Sequence, residues 1–247
     1  MRAVMLAAGV GNRLGDVGNR PKSLLPFGGK SLLQRHLDNL ARNDITQLTL
    51  CVGYEAGQIE EHVRNAPLPV ECILNPEYRL GSVRSLWTVR QAFASGEDVL
   101  LMDADVLYAP ALLSRLVRSA HANCFLLDED FTPGDEPVKI CVRHGEIVEF
   151  RKKPDPAIPF DYCGESVGFF KFSADCAQAL MARCQRYIDD KRDDEPYEEI
   201  LRDLILARTH ALGFERTERM PWLEIDFPED LVRARDQILP LMETSHD

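Results

Sequence analysis

Two aspartates follow a short apolar segment in the middle of the chain. Residues 98–102 read DVLLM, and Asp103 and Asp105 come soon after them. In α/β proteins, ligands bind at the carboxyl ends of the sheet strands, and Mg²⁺ is usually held by one or two carboxylates together with phosphate oxygens. These acids therefore predict a magnesium site that faces a phosphorylated ligand. The alternative is a strand-end aspartate that only caps the next turn.

A glycine-containing loop near the N-terminus suits the binding of phosphate groups. Residues 6–14 read LAAGVGNRL, and residues 20–22 read RPK. Gly9 and Gly11 let the backbone approach phosphate oxygens and aim N–H groups at them. Arg13 can pair with a phosphate in bidentate fashion, and Lys22 can act as a point charge. The order of these residues predicts a triphosphate site rather than a turn with scattered basic residues.

Two better-known phosphate-binding loops do not fit this segment. A dinucleotide-binding fingerprint needs a third glycine where this chain has Leu14. Gly29-Lys30-Ser31 matches the end of a P-loop, but Leu24 stands where the first glycine of that loop is needed. The sequence therefore disfavours an NAD-binding oxidoreductase and a P-loop enzyme.

The elements that must position these residues alternate between strands and helices in the first half of the chain. Apolar runs predict strands, and apolar residues at helical spacing predict helices. The predicted strands are 2–8, 46–52, 69–74 and 98–102, and the predicted helices are 31–43, 55–65, 81–95 and 110–121. This alternation predicts an α/β fold with a mostly parallel sheet.

The pattern changes after residue 122. Short β-like runs come first, and helices follow them. The predicted strands are 123–127, 137–143, 146–151 and 166–172, and the predicted helices are 173–189, 195–208 and one from about 228. We expect a single domain over 1–247 with two halves, 1–122 and 123–247.

Composition excludes several classes of protein. The formal net charge of -11 argues against nucleic acid as a partner, because proteins that bind nucleic acid usually carry a basic face. Seven cysteines without CxxC spacing predict reduced thiols in a cytoplasmic protein rather than a zinc site or a disulfide framework. No apolar run reaches the roughly 18 residues of a membrane span, and the N-terminus lacks a signal-peptide layout.

The string LAAGVGNRL followed by RPK resembles the N-terminal signature of the nucleotidyltransferases that activate sugar phosphates, phosphocholine and related compounds. The resemblance implies a Rossmann-like fold with a mixed, mostly parallel sheet flanked by helices. It also implies that an NTP and a phosphorylated acceptor react with release of pyrophosphate. The half at 1–122 would then be the nucleotide-binding half, and the half at 123–247 the acceptor-binding half. The residues that the resemblance assigns to the nucleotide are Leu6, Ala7, Ala8, Gly9, Gly11, Asn12, Arg13, Lys22, Ser85 and Asp103.

The resemblance extends to a segment near the C-terminus. Residues 225–230 read IDFPED, which alone predicts a helix start with Pro228 and acids in its first turn. Family members carry a similar segment whose first aspartate binds the metal. The resemblance therefore pairs Asp226 with Asp105 as the ligands of Mg²⁺, with Asp103 behind them.

Two further segments are implied to bind the acceptor. Residues 151–154 read RKKP and resemble the family's Glu-Lys-Pro element, whose lysine contacts the acceptor phosphate. Lys153 aligns with that lysine, but Lys152 stands where an acid is common, so the choice between them stays open. Gly164 and Glu165 lie where a strand lines the acceptor pocket. With Lys22 and Arg13, Lys153 completes the expected catalytic set.

The expected substrates are CTP and a small acceptor such as phosphocholine or 2-aminoethylphosphonate. This expectation rests on residues 80–87, LGSVRSLW, which resemble the base-binding segment of that branch, although Gly81-Ser82 replaces its asparagine. The alternatives are a sugar-1-phosphate or inositol-phosphate nucleotidyltransferase and a non-catalytic nucleotide-binding relative. A homo-oligomer remains open.

Overall fold

A computed structural model describes residues 1–15 and 19–244. Positions 16–18 of the predicted loop at 9–30, and the end of the chain at 245–247, lie outside the described residues.

A nine-stranded sheet forms the centre of the described fold. The strands of the protein are β1 (Arg2–Ala7), β2 (Pro26–Phe27), β3 (Lys30–Ser31), β4 (Leu48–Val52), β5 (Val70–Leu74), β6 (Val99–Asp103), β7 (Val106–Tyr108), β8 (Cys124–Asp128), β9 (Lys139–Arg143), β10 (Glu146–Arg151), β11 (Tyr162–Phe172), β12 (Gly213–Arg216) and β13 (Trp222–Glu224). The main path of the sheet runs β10-β9-β11-β6-β1-β4-β5, and β8 pairs with β11 and β12.

The two halves of the chain contribute differently to this sheet. Strands β5, β4, β1 and β6 are parallel neighbours. Strand β11 then runs antiparallel to β6, β8 and β9. The predicted α/β fold with a mixed sheet is confirmed, and every antiparallel pair of this sheet includes at least one strand from the second half of the chain.

Helices cover both faces of the sheet. They are α1 (Leu32–Arg42), α2 (Ala56–His62), α3 (Ser82–Thr88), α4 (Arg90–Phe93), α5 (Pro110–Arg118), α6 (Ala174–Asp189), α7 (Glu198–Ala207), α8 (Pro228–Arg233) and α9 (Leu239–Thr244), with 3-10 turns at Asn12–Leu14, Lys22–Leu24 and Val63–Asn65 and a π-helical turn at Ala234–Ile238. Leu86 of α3 and Leu201 of α7 belong to one buried cluster, and Leu37 of α1 and Leu112 of α5 belong to another. No helix among the described residues is long and apolar enough to cross a membrane.

The predicted helix at 81–95 is interrupted in the structure. Val89 has φ -96° and ψ 14°, outside the helical region, and it separates α3 from α4. Its side chain is nevertheless fully buried in the core. The apolar spacing that suggested one helix therefore describes the buried face of two short ones.

A buried histidine makes the stability of the fold depend on pH. The ring of His36 lies 5.2 Å from the ring of Tyr108 and 6.0 Å from that of Phe169, measured between centroids. Burial lowers the pKa of His36 to about 4, whereas an unfolded histidine titrates near 6.5. As the pH falls, the unfolded chain therefore binds the proton first. The contribution of neutral His36 to the free energy of unfolding is fully present above pH 6.5 and decreases as the pH drops towards 4.

We expect His36→Gln to remove this dependence. Between pH 7.5 and pH 5 the wild type should lose about 2 kcal/mol more unfolding free energy than the variant, from the difference between the two pKa values. Urea unfolding at the two pH values measures the loss. His144→Gln, at an exposed turn, is the matched control and should behave as the wild type. Equal pH slopes in wild type and His36→Gln would contradict the prediction.

Candidate active site

The pairing of β7 with β13 brings together two aspartates that lie far apart in the sequence. Val106 is paired with Glu224 in this antiparallel ribbon, and the backbone N–H group of Ile225 donates to the carbonyl of Asp105 at 2.9 Å. Asp105 is the residue just before β7, and Asp226 is the second residue after β13. The antiparallel pairing of the two strands therefore brings these aspartates close together. The Asp230 carboxylate accepts from the backbone N–H group of Asp226 at 3.0 Å, which fixes the start of α8 at Pro228 as predicted.

Lys22 joins these two aspartates. Its Nζ lies 3.2 Å from Oδ2 of Asp105 and 2.5 Å from Oδ1 of Asp226. Burial by itself lowers the pKa of Lys22, but the two carboxylates outweigh it and hold the pKa above its ordinary value. The lysine therefore stays charged and stands where it neutralises both acids.

The glycine loop supports this lysine. Gly11 has φ 71°, a left-handed conformation that favours glycine. A Cβ at Gly11 would lie 2.9 Å from Cγ of Lys22, so the absence of a side chain lets the lysine pack across the loop. Gly9 and Asn12 are exposed, whereas Ala7 and Ala8 are buried. Leu6 lies behind them in β1, packed against the core.

Glu224 is a third acid at this point that the sequence analysis missed. Single carboxylate oxygens of Asp105, Glu224 and Asp226 lie within 4.8 Å of one another. The residue as a whole is exposed, but desolvation of its carboxylate by the surrounding groups, followed by the charges of Asp105 and Asp226, raises the pKa of Glu224 to about 8. Glu224 is the last residue of β13, and Asp226 follows two residues later, so the grouping becomes visible only once β13 is recognised as a strand.

The three acids have the chemistry of a divalent-cation site. Carboxylate oxygens are ligands that Mg²⁺ accepts, and their closeness leaves them mutually repelling unless a cation lies between them. In the structure the ammonium group of Lys22 supplies that positive charge. The donor set therefore fits a hard divalent cation.

A second group of charges lies beside the acids. Arg13 reaches Oδ2 of Asp226 through Nη2 at 3.0 Å and Oε2 of Glu136 through Nη1 at 2.8 Å. The same Glu136 oxygen lies 3.1 Å from Nζ of Lys152. Lys153 instead pairs with Asp135 at 3.0 Å, and its side chain is 73% exposed. The geometry thus brings Arg13 and Lys152 around one carboxylate, and it turns Lys153 outward.

The other two residues assigned to the nucleotide lie deeper. Oδ2 of Asp103 accepts from the hydroxyl group of Tyr197 at 2.8 Å. Gly168, with φ 80°, leaves room for this carboxylate, since a Cβ there would lie 2.4 Å from it. The Ser85 hydroxyl is buried and accepts from Nδ2 of Asn75 at 3.1 Å. The Ser85 side chain therefore faces into the protein and holds the side chain of Asn75.

Two cavities meet at the acidic centre. We call the first, of about 120 Å³, the inner cavity; its lining includes Arg13, Asp103, Lys152, Tyr197 and Glu198. We call the second, of about 380 Å³, the outer cavity; its lining includes Asp128, Phe131, Glu165 and Trp222. Both are also lined by Glu136, Glu224 and Asp226. The acids therefore lie between two spaces that can receive ligands.

The two residues assigned to the acceptor on β11 have separate places. Glu165 lines the outer cavity, and burial, followed by the charge of Asp128, raises its pKa to about 7. Gly164 packs against β8, where a Cβ would lie 2.5 Å from the carbonyl oxygen of Asp128. Gly164 therefore allows β11 to approach β8 closely.

The fold is shared with solved nucleotidyltransferases. The inositol-1-phosphate CTP transferase from T. maritima superposes with a TM-score of 0.78 at 20% identity, over 98% of this chain and 94% of its own. This likeness establishes the fold.

Curated relatives resemble the whole length of the chain. CMP-5'-(3-aminopropyl)phosphonate synthase of Streptomyces rubellomurinus is 25% identical, over 98% of this chain and 40% of its own length. CTP:phosphoglutamine cytidylyltransferase of Campylobacter jejuni is 21% identical, over 94% and 98%. The chain spans about half, or less, of the longer relatives it matches.

The model of one family matches most of the chain. Residues 3–189 match the MobA-like NTP transferase domain, a range that includes the glycine loop, Lys22, Asp105 and the Lys152-Lys153 pair. Glu224 and Asp226 lie beyond that range, Glu224 at the end of the strand that pairs with β7 and Asp226 two residues after it. The chain belongs to the MobA-like NTP transferase domain family.

Proposed function

We propose that the protein transfers the nucleotidyl group of an NTP, with CTP as the expected donor, to a small phosphate- or phosphonate-bearing acceptor. The observation that carries the proposal is the contact of Lys22 with both Asp105 and Asp226 beside the loop at Gly11. CTP is favoured because two relatives are named as a CMP-phosphonate synthase and a CTP-dependent cytidylyltransferase.

The reaction needs positioning and charge neutralisation more than proton transfer. An oxygen of the acceptor phosphate or phosphonate attacks the α-phosphorus, the bond from that phosphorus to the pyrophosphate oxygen breaks, and pyrophosphate leaves. The attacking oxygen is already anionic near neutral pH, so no strong base is required. Catalysis then depends on in-line placement and stabilisation of charge.

The residues of the site divide this work between them. Lys22 and Arg13 would leave their acidic partners and hold the phosphates that become pyrophosphate. Asp105, Asp226 and Glu224 would hold Mg²⁺, which supplies positive charge next to the reacting phosphates. The acceptor would enter from the cavities lined by Lys152 and Glu165.

A screen for pyrophosphate release tests the proposal. Each of the four NTPs is combined with Mg²⁺ and with phosphocholine, phosphoethanolamine, 2-aminoethylphosphonate, inositol phosphate or a hexose-1-phosphate. We expect release with CTP and a small phospho- or phosphono-acceptor. Release only with inositol phosphate or hexose phosphates would support the alternative acceptor class. A folded protein that releases pyrophosphate with no pair would favour a non-catalytic nucleotide-binding role.

The two adjacent lysines provide a matched pair of variants. Because Lys152 lines the inner cavity and Lys153 faces solvent, we propose that Lys152 contacts the acceptor phosphate. Lys152→Met should raise the KM for the acceptor by about 10-fold or more, the usual cost of one charge-assisted hydrogen bond. Lys153→Met should change it little. Steady-state kinetics with varied acceptor measures both, and the reverse order of effects would return the role to Lys153.

The expected location is the cytoplasm. All seven cysteines are free, and five of them are buried. Free thiols suit a reducing compartment.

A further inference from the structure

Glu198 carries a buried carboxylate oxygen that the proposed reaction does not use. It is the first residue of α7, and it lines the inner cavity together with Lys152 and Tyr197. Its Oε2 is shielded from solvent and has no hydrogen-bond partner among the described residues. Burial raises the pKa of Glu198, and the nearby charge of Lys152 opposes that rise.

The position of Glu198 at the start of α7 accounts for only part of the stabilisation that a buried carboxylate needs. An acid in the first turn of a helix is stabilised by the helix dipole, and the backbone N–H group of Glu198 itself faces the carboxylate. Oε2 itself has no hydrogen-bond partner in the part of the chain that the structure describes. A buried charged oxygen without a partner costs free energy, so its retention is accounted for if a ligand supplies the missing donor.

Helix α7 is held firmly in place behind this residue. Glu149 of β10 is fully buried, and its two oxygens accept from Nε and Nη2 of Arg202 at 2.6 Å and 2.8 Å. The backbone N–H group of Tyr197 also donates to the hydroxyl of Ser82 at 2.8 Å. The start of α7 is therefore fixed from two sides, and Glu198 keeps its position beside the cavity.

The charges around the inner cavity indicate which donor is missing. Arg13 and Lys152 are its two cationic residues among the described ones, and both are paired with Glu136. Asp103 already accepts from Tyr197. A ligand that carries an anionic group for Lys152 and a cationic group for Glu198 would satisfy both of these lining residues.

We propose that Glu198 binds the ammonium group of an aminoalkyl phosphate or aminoalkyl phosphonate acceptor whose anionic end lies against Lys152. The proposal rests on the proposed nucleotidyl transfer and narrows its acceptor to a short zwitterion. The volume of about 120 Å³ suits a chain of a few atoms. A primary ammonium group is favoured over a quaternary one because it has N–H groups to donate to the carboxylate.

The test compares two acceptors that differ by an amino group. Wild-type kcat/KM for transfer of the cytidylyl group from CTP to 2-aminoethylphosphonate should exceed that for transfer to ethylphosphonate by about 10- to 100-fold, the range for a hydrogen bond to a charged group. Glu198→Gln should bring that ratio close to 1 while the KM for CTP and the turnover of ethylphosphonate stay as in the wild type. Glu199→Gln, whose parent carboxylate pairs with Arg151 at 2.7 Å, should keep the wild-type ratio.

The melting temperature and a second variant show whether a loss of selectivity comes only from misfolding. Glu198→Gln should melt at the same or a higher temperature than the wild type, because it removes an unpaired buried charge. If it fails to fold, Glu198→Asp, which keeps the charge but shortens the side chain, should lower the ratio. Full selectivity in a folded variant of either kind would overturn the proposal.

Other outcomes also separate this proposal from the one on which it rests. Equal losses with both acceptors in Glu198→Gln would assign Glu198 a general structural role and overturn the inference. Loss of selectivity in Glu165→Gln alone would move the ammonium group to the outer cavity and likewise overturn it. Pyrophosphate release without any preference for the amine contradicts only the role of Glu198, whereas no release with any acceptor contradicts nucleotidyl transfer itself.

Discussion

Asp105→Asn and Asp226→Asn are each expected to lower kcat by about 10²- to 10³-fold or more, the cost of losing one electrostatic contact to the transition state. Asparagine keeps the size of the side chain but removes the charge that a divalent cation requires. Asp226 also pairs with both Lys22 and Arg13, so its loss disturbs three charges at once. Pyrophosphate release with saturating CTP, acceptor and Mg²⁺ measures the effect.

The fold should survive these changes. Neither carboxylate is part of a hydrophobic cluster, and the side chains of Asp105 and Asp226 remain 25% and 16% exposed. Asp236→Asn is the matched control, because Asp236 pairs on the surface with its neighbour Arg235, and its rate should equal that of the wild type. Wild-type rates from a folded Asp105→Asn/Asp226→Asn double variant would rule out the metal assignment.

The sequence predicted the parts of the site that rest on buried strands and on glycine. Strands β1, β4 and β6 are covered on both faces, so their apolar runs stand out against the helices. Gly11 was marked by its place after β1, and its positive φ explains why that position tolerates little else. The predictions of a triphosphate site at the loop with Lys22 and of a magnesium site that faces a phosphorylated ligand are consistent with the contact of Lys22 with Asp105.

The meeting of Asp105 and Asp226 did not follow from a local pattern. It depends on β7 and β13, which have three residues each and are too short to show a period. Their pairing joins positions more than a hundred residues apart, and here only a family resemblance suggested the pair. Glu224 was missed for the same reason, because its importance appears only once β13 is recognised as a strand.

The direction in which a side chain points was the other feature of the site that could not be predicted from the sequence. Lys152 and Lys153 are adjacent and alike in charge, yet one lines the inner cavity and the other faces solvent. Ser85 lies in the segment that resembles a base-binding motif, but its hydroxyl faces Asn75 inside the protein. Such differences depend on how neighbouring elements pack, which a single sequence does not encode locally.

Lys22→Met should have two opposite effects, which together identify the role of this lysine. Turnover is expected to fall by about 10²-fold or more, because a charge that stabilises the leaving pyrophosphate is lost. At the same time, the nucleotide-free variant should bind Mg²⁺ or Mn²⁺ more tightly than the wild type does. In the wild type the ammonium group lies between Asp105 and Asp226 and competes with a metal ion for them.

Thermal melting with and without the metal measures the second effect. Without metal, Lys22→Met should be less stable than the wild type, since Asp105, Glu224 and Asp226 lie close together and repel one another. Added Mg²⁺ should raise its melting temperature by more than it raises that of the wild type, because a ligand that binds the native state more tightly stabilises that state more.

A lysine outside the site provides the control for both measurements. Lys30 is half exposed and pairs with Asp38, so Lys30→Met should keep the wild-type rate and the wild-type response to Mg²⁺. A lysine that served only to hold the loop would lower turnover without changing metal affinity. Lys22→Met with a wild-type metal response would therefore show that the ammonium group and the metal ion do not share these carboxylates, and the acidic centre would lose its assignment as the metal site.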